Sequence, residues 1–537
     1  MNRSDMLPDD GYNRTLLDNV HPLEWHNPEP QGVYNLVVLG GGTAGLISAA
    51  VAASMGARTA LIERGFLGGD CLNVGCVPSK GVIRGARGQA ELVWLEKSGM
   101  LVTGSAVSGT SGALPHVSFA AVMERLRRIR SEISGHDSAA RYRDEFGVDV
   151  YIGEGAFSGR RSVTVTGDDG SRRELSFSKA VIATGARAAA PPIPGLDTTP
   201  YLTNESLFTL TELPESLVII GAGPIGCEMA QSFAQLGSRV ELVEAAPRIL
   251  PREDADVAAV VHQHLEGAGV TVHVHASVVG VSGVAGVSGS PGGSSPEAGS
   301  PAPDVSVQYQ SAGGEDLTVT GNRLLVAIGR KPNLEGLDLD RAGVKAHARG
   351  IEVNDYLQTS NSRVFAAGDV ASPYQFTHMA EATASLVVQN ALFLKTGKTS
   401  RLTVPWCTYT SPEVAHVGIS EQDAQREGRD VDVYRHEMSA VDRARLDGET
   451  EGFIKLITPR GKTQILGATI VAAHAGEMIG EIVLAMQNKL GVDKLASVVH
   501  PYPTQAEAVK RAAAGYLKRK LTPRVKRIME VWFRWNR

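Results

Sequence analysis

YNLVVLGGGTAGLISAA (residues 34–50) begins as an apolar strand, turns on glycines and continues into a helix of small residues. Gly40, Gly42 and Gly45 fit GxGxxG, and ARTALIE (57–63) supplies a second strand that closes on Glu63. In a βαβ unit such glycines allow a tight turn and let a pyrophosphate approach the helix N-terminus, whose dipole favours negative charge. Glu63 is then placed to hold ribose hydroxyls. The stretch predicts a dinucleotide-binding α/β unit. From the glycines alone, a cluster that serves only helix–sheet packing remains the alternative.

The pattern recurs in SLVIIGAGPIGCEMAQSFAQLGSRVELVE (216–244), where Gly221, Gly223 and Gly226 follow a strand and Glu244 ends the next. From first glycine to acid the spacing is 23 in both units, 63 − 40 and 244 − 221. Two units imply two dinucleotides, the second a nicotinamide cofactor. Glu244 would accept from a free ribose 2′-hydroxyl and repel a 2′-phosphate, which favours NADH over NADPH, while Arg248 close by in sequence pulls the other way. Between the units, residues 116–145 read as one long charged helix and 148–182 as strands. KAVIATGARAAAPPIPG (179–195) looks like a chain leaving one domain for another. Later, RLLVAIGRKPN and RVFAAGDV (within 323–370) add two buried strands with glycine exits. Asp369 could grip a ribityl or phosphate group, or simply cap a helix over 378–395.

GGDCLNVGCVPSK (68–80) places Cys71 and Cys76 behind a Gly-Gly turn and ahead of Pro78 and Lys80. Only Cys227 and Cys407 accompany them, far too few for a disulfide scaffold, so the spaced pair reads as catalytic or metal-binding. A structural zinc half-site lacks a second ligand pair, and no resident metal site is expected. A dithiol beside a dinucleotide unit suggests electron transfer between a cofactor and a cysteine pair.

Length and composition agree with a soluble globular protein of three or four domains: 43% hydrophobic, 21% charged, and rich in glycine (59) as tight strand–helix turns require. A net charge of −5 argues against general nucleic-acid binding. No apolar run approaches the ~20 residues of a membrane span, and residues 1–30 lack the apolar segment of a secretory signal, so a cytoplasmic protein is expected. Residues 280–304, a Gly/Ser/Pro tract, read as a flexible insert. The tail 516–537 carries eight Lys/Arg against Glu530 alone, with Trp532, Phe533 and Trp535 near its end. That pattern suits peripheral contact with the inner face of an anionic membrane, or a solvated helix capping its own domain.

Over roughly 33–515 the chain resembles the pyridine nucleotide–disulfide oxidoreductases (class I), most specifically through CLNVGCVPSK (71–80), supported in order by ATGAR (183–187), the second glycine motif with Glu228, and AAGDV (366–370). The resemblance implies an α/β fold with two Rossmann-like domains, an FAD domain split around an NAD(P) domain, and a C-terminal α+β dimerisation domain. The expected layout is an arm (1–32, extended or loosely docked), FAD domain (33–212 and 323–400), NAD(P) domain (213–322), dimerisation domain (401–515) and tail (516–537). Gly40, Gly42, Gly45, Glu63, Lys80, Thr184, Gly185 and Asp369 would contact FAD. Gly221, Gly223, Gly226, Glu244 and Gly329 would contact NADH or NADPH. Cys76 would be the flavin-facing thiol and Cys71 the interchange thiol that meets the substrate. Lys80 and Glu228 would pair near the flavin, and Cys227 and Cys407 would be packing residues.

Disulfide-reducing members carry a histidine in an HPT…E segment that serves the partner subunit's dithiol. Here HPYPTQAE (500–507) puts Tyr502 at that position, with Glu507 behind it and His500 two residues away. In a strand-like segment that offset keeps the face but moves the side chain ~6–7 Å. A tyrosine there, and GPIGCE (223–228), look like the mercuric-reductase-like branch, yet the chain lacks that branch's C-terminal cysteine pair and N-terminal CxxC module. The leading expectation is a homodimeric FAD-dependent NAD(P)H oxidoreductase passing electrons through Cys71–Cys76 to a thiol-reactive acceptor, a Hg(II)-like metal ion or a small disulfide. The alternatives are a membrane-associated quinone reductase working from the flavin, a dihydrolipoamide dehydrogenase, and a flavin-binding redox sensor or scaffold.

Overall fold

Val33–Leu39 (β1) sits at the centre of the first sheet because both its faces are apolar. Leu36 and Val38 join one buried cluster, and Val37 and Leu39 join another on the opposite face. Such two-sided burial is the mark of a parallel strand covered by layers above and below. The computed structural model describes residues 3–101, 115–283 and 305–537. Its chain forms two units: Met1–Gly221 with Ser232–Val243 and Ala276–Arg401, and Ala222–Gln231 with Glu244–His275 and Leu402–Arg537.

In the first unit β1 leads through a helix of small residues, Thr43–Ser54, to Thr59–Glu63 (β2), which pairs with it in parallel (Val38 against Leu61). Asp149–Ile152 (β3) lies outside β2. On the other side of β1 comes Arg172–Ile182 (β6), reached through the antiparallel strands Glu154–Gly159 (β4) and Ser162–Thr166 (β5). Val364–Ala366 also pairs with β6, so the chain returns to this sheet after the second glycine motif. Around that motif, the fully buried Ser216–Ile220 pairs in parallel with Arg239–Val243 on one side and Arg323–Val326 on the other. Two parallel glycine-turn units are thus present, an α/β architecture.

Several expectations shift. Residues 116–145 are two helices, Phe119–Ser134 and Ala139–Asp144. A 3₁₀ turn at Gly135–Asp137 separates them, and Ser138 caps the second by accepting from Arg141 N–H. The N-terminal arm is not extended: Asp10 caps a helix, Gly11–Val20, whose Leu16 and Val20 are fully buried. Residues 280–283 belong to a strand, Ser277–Gly283, while the rest of the expected insert lies outside the described residues. The helix after Asp369 begins at Thr377, with Phe376 at its cap, so Asp369 is no N-cap.

The second unit contains an antiparallel sheet in the order Pro405–Thr408, Glu413–Gly418, Gly467–Ala472, Phe453–Pro459, Val431–Glu437. Helices Ala475–Gln487 and Glu507–Lys520 bury Ile479, Ile482, Val509 and Ala512 against its Ile454, Leu456 and Ile470. Lys455, on that sheet, is buried and held by Asp254 (2.7 Å), Asp256 (2.9 Å) and Glu421 (2.7 Å). Residues 500–506 form bends and turns instead of a strand, so the two-residue offset between His500 and Tyr502 does not keep them on one face.

Candidate functional site

Two glycine pairs in backbone contact build the site. Gly40 has φ +105°, and a Cβ there would stand 2.3 Å from the Ala183 carbonyl oxygen, so the turn after β1 can be only glycine. Gly42 precedes the helix Thr43–Ser54, and Gly45 lies in that helix's first turn against the Gly40 carbonyl. Glu63 folds back on this turn and accepts from the N–H groups of Gly41 (2.5 Å) and Gly65 (2.6 Å). At the second motif Glu244 does the same with Ala222 (2.7 Å) and Ala246 (2.8 Å), at identical offsets from its glycines. Gly221 repeats the positive φ (+102°), and Gly223 and Gly226 flank or enter the helix Pro224–Leu236. A close-approach cradle at a helix N-terminus, with an acid poised at its edge, fits an adenine dinucleotide in both places.

The dithiol segment is fastened to the first cradle. Gly68 N–H donates to Gly41 O (2.9 Å), and a Cβ on Gly69 would lie 2.7 Å from the Gly42 Cα. This clamp sets Cys71 in the short helix Gly69–Asn73 and Cys76 at the first position of Cys76–Lys97. Both are free thiols, Cys76 the more exposed. A helix N-terminus favours a thiolate. The hydrogen bond from Cys71 is the largest influence on Cys76, pushing its thiol down to about 6. Thr377 and the Lys80 charge one turn along assist, while burial and Asp70 oppose. Cys71 is displaced upward because it keeps the shared proton. The pair therefore carries one negative charge, on Cys76.

Asp369 enters from the third segment. Gly368 (φ +74°) lets this turn pack on Ala44 of the first cradle's helix. Burial raises the Asp369 carboxyl to about 6, with Arg330 pulling it down and Asp70 pushing it up. Arg330, largely buried, bonds Asp70 (2.8 Å) and faces Asp369 (3.7 Å), while Asn204 holds the other Asp70 oxygen (2.9 Å). The Gly368 N–H is satisfied by the buried Thr383 hydroxyl (3.1 Å). Thr383→Val would orphan it, and a loss of about 1–3 kcal/mol is expected from the urea midpoint.

Thr184 and Gly185 also sit here. Thr184 Oγ1 donates to Asn333 O (2.8 Å), Asn333 donates back to Thr184 O (2.9 Å), and Arg187 bonds the Asn333 side chain (2.6 Å). Gly185 (φ +66°) and Gly329 (φ +117°) leave open space where a Cβ would stand. Lys80 belongs to the first unit and Glu228 to the second, where the buried Glu228 carboxylate accepts from Tyr409 N–H (2.9 Å). Cys227 is fully buried, its thiol pushed upward by burial, and it donates to Ala222 O. Cys407 is half-buried.

In the second unit Tyr502 is 70% exposed and donates to Asp442 (3.2 Å), which holds its phenol above the ordinary value. His500 instead turns inward to Glu481 (3.0 Å). Glu507 starts the helix Glu507–Lys520 and bonds Arg511 (2.7 Å).

Sequence reading passed over four residues. Arg330 and Thr377 face the dithiol segment and Asn204 braces it. Arg130 is fully buried and ties Asn73 O of the dithiol loop to Asn13 of the arm, both at 2.7 Å. Only Arg330 left a trace, a charge directly after a buried strand and a glycine.

The family described as pyridine nucleotide-disulphide oxidoreductase matches residues 34–384, and that family's dimerisation domain matches 404–513. A mercuric reductase of Staphylococcus aureus is 33% identical over 491 residues, covering 91% of this chain and 83% of that protein. A dihydrolipoyl dehydrogenase of Bacillus subtilis is 30% identical over 488 residues, covering 89% and 97%. Among solved structures, the Cu(II) complex of the HOCl-induced flavoprotein disulfide reductase RclA from Escherichia coli superposes with a TM-score of 0.76 at 27% identity, covering 90% of this chain and 99% of that one.

Proposed function

Because the chain belongs to the pyridine nucleotide-disulphide oxidoreductase family, whose enzymes use FAD and NAD(P)H, we propose that it reduces a thiophilic metal ion of the Hg(II) class at Cys71 and Cys76, with a small disulfide as the second acceptor class. The observation that carries this reading is the placement of Cys71 and of Cys76, at a helix N-terminus, in a loop clamped to the first dinucleotide cradle, with the Cys76 thiol pushed down to about 6. FAD, when bound, supplies a two-electron relay between the nicotinamide and the cysteine pair. Gly40, Gly42, Gly45, Glu63, Thr184, Gly185 and Asp369 would hold it, with Lys80 alongside. Gly221, Gly223, Gly226, Glu244 and Gly329 would hold the nicotinamide nucleotide. Lys80 and Glu228 would pair in the working enzyme.

Once reduced, the pair offers the Cys76 thiolate and the Cys71 thiol. A soft divalent ion binds Cys76, displaces the Cys71 proton and is held by both sulfurs. Two electrons then pass to the metal, giving the zero-valent element, as the Cys71–Cys76 disulfide reforms. In the homodimer that the dimerisation domain supports, Tyr502 and Glu507 of one subunit would complete the dithiol site of the other. A phenol that keeps its proton suits a hydrogen-bond donor to a metal-bound ligand better than a base for activating dihydrolipoamide, and His500 is already engaged by Glu481. Glu244 at the second cradle favours NADH, and Arg248 is occupied by Glu253 O (3.2 Å) and Gln422 (2.7 Å).

The test is acceptor-dependent NADH oxidation by the holoenzyme. Hg(II) buffered with excess thiol should accelerate it, NADH should outperform NADPH, and Cys71→Ser with Cys76→Ser should cut the metal-dependent rate at least ~100-fold while leaving ferricyanide reduction intact. Tyr502→Phe should lose roughly 10-fold with Hg(II). Metal reduction that survives the double variant, or a wild type that turns over only quinones, would defeat the proposal. Dihydrolipoamide as the fastest substrate would reassign the acceptor.

A further inference from the structure

We propose that the C-terminal helix Pro523–Trp535 docks this protein on the surface of an anionic lipid bilayer. The helix lies beyond the last residue matched by the dimerisation domain, Ala513. It is well built: Thr522 caps it by accepting from Val525 N–H, and Pro523 occupies its first turn, where a missing N–H costs nothing. The preceding helix, Glu507–Lys520, buries Ala508, Val509, Ala512, Ala513 and Tyr516 in the core of its unit. The terminal helix buries none of its residues. Ile528 is 68% exposed, Val531 61%, Trp532 57% and Trp535 83%.

At 100° per residue, Val525, Ile528, Met529, Trp532 and Trp535 fall on one face, with Val531 and Phe533 at its margins. Arg527, Glu530 and Arg534 fall on the opposite face, and Arg524, Lys526 and Arg537 lie along the flanks. A helix with so strong a separation and no core to pack on has the form of one that lies in the plane of an interface. Its charge selects the partner. Four Arg/Lys against one Glu in the helix, with Arg537 just beyond it, in a chain whose net charge is −5, complement acidic headgroups, and those on the flanks are set where they reach phosphates while the apolar face enters the acyl boundary. Two tryptophans with ring centroids 6.5 Å apart occupy the terminal turn, and indole rings settle at headgroup depth. Among the described residues no helix is long and apolar enough to cross a membrane, so contact through this element is peripheral.

Co-sedimentation of the full-length holoenzyme with vesicles tests the proposal. Vesicles with about 30% phosphatidylglycerol in phosphatidylcholine should bind at least ~10-fold more protein than phosphatidylcholine alone, and the binding should fall as salt rises. Binding should carry a blue shift of tryptophan fluorescence. Removal of residues 522–537, Trp532→Ala with Trp535→Ala, and Lys526→Glu with Arg527→Glu should each abolish it, while NADH–ferricyanide activity stays at the wild-type level. Absence of vesicle binding would overturn the proposal, as would equal binding by the truncated chain. Self-association lost on truncation without any lipid binding would also overturn it, and would assign the apolar face to a second copy.

Discussion

Gly45→Val is expected to give a protein that no longer carries a yellow cofactor and that unfolds far earlier in urea. The Cβ alone would stand 1.7 Å from the Gly40 carbonyl oxygen, well inside any permissible contact. Neither partner can retreat. Gly40 is fixed by its N–H to Ile62 O (2.8 Å) and by the closeness of Ala183 behind it. The helix bearing Gly45 is pinned on its inner face by Leu46, Ala49 and Ala52, each buried against the sheet. Relief requires the helix to lift from β1 at the point where its N-terminus would meet the pyrophosphate of a bound dinucleotide, so cofactor affinity and stability should fall together, the latter by about 4 kcal/mol or more. Gly88→Ala, on the helix Cys76–Lys97, is the matched control. Its nearest neighbour would be Val117 at 3.9 Å, and a helical glycine replaced by alanine gains about 0.5–1 kcal/mol. The flavin-to-protein absorbance ratio and the urea midpoint read both. A Gly45→Val protein with full flavin content and wild-type stability would refute the close-approach account.

The cradles were legible in the sequence because their chemistry is local. A glycine that must adopt φ +105° and an acid 23 residues later are fixed by one βαβ unit, and both copies fold to the same hydrogen-bond pattern. The dithiol was legible for the same reason, since Gly68–Cys76 is a single loop. What escaped was whatever depends on contacts between distant segments. Thr377 lies 301 positions from Cys76, and Arg330 meets Asp70 from 260 positions away (330 − 70). The arm misled for a related reason. Its helix has few apolar residues, and it is held by polar anchors, Asp10 on Arg127 and Asn13 on Arg130, whose partners are more than a hundred residues away. The break at Gly135 and Ser138 was present as a helix stop and an N-cap residue, but the charged periodicity of 116–145 outweighed it. Tyr502 and His500 separate for the opposite cause: a bend, and not a strand, joins them, so spacing along an extended chain says nothing of where each points.

The alkylation profile of the reduced protein should show one thiol ionising near pH 6, and Cys71→Ala, which removes the donor, should move that midpoint upward. Cys76 owes its position first to the hydrogen bond that Cys71 donates, then to Thr377 and to Lys80, all working against burial and Asp70. Alanine at that position leaves no donor from Cys71, and the burial that opposes ionisation is then met only by Thr377 and Lys80. Lys80→Met should raise the midpoint as well, by less, since its contribution ranks below the Cys71 and Thr377 hydrogen bonds. The midpoint is the quantity to read, because a thiolate of low pKa is also a weaker nucleophile and the rate at neutral pH partly cancels the change. The sign for stability follows. A folded-state value depressed below the unfolded thiol's means that Cys76 stabilises the reduced fold fully above the unfolded value, and that this contribution fades as pH falls through about 6. The reduced protein should therefore lose denaturation midpoint between pH 8 and 5.5 relative to Cys76→Ser under the same conditions. A single midpoint near the ordinary cysteine value, unchanged by Cys71→Ala, would mean that the two sulfurs do not share a proton, and the charge on which metal capture depends would be absent.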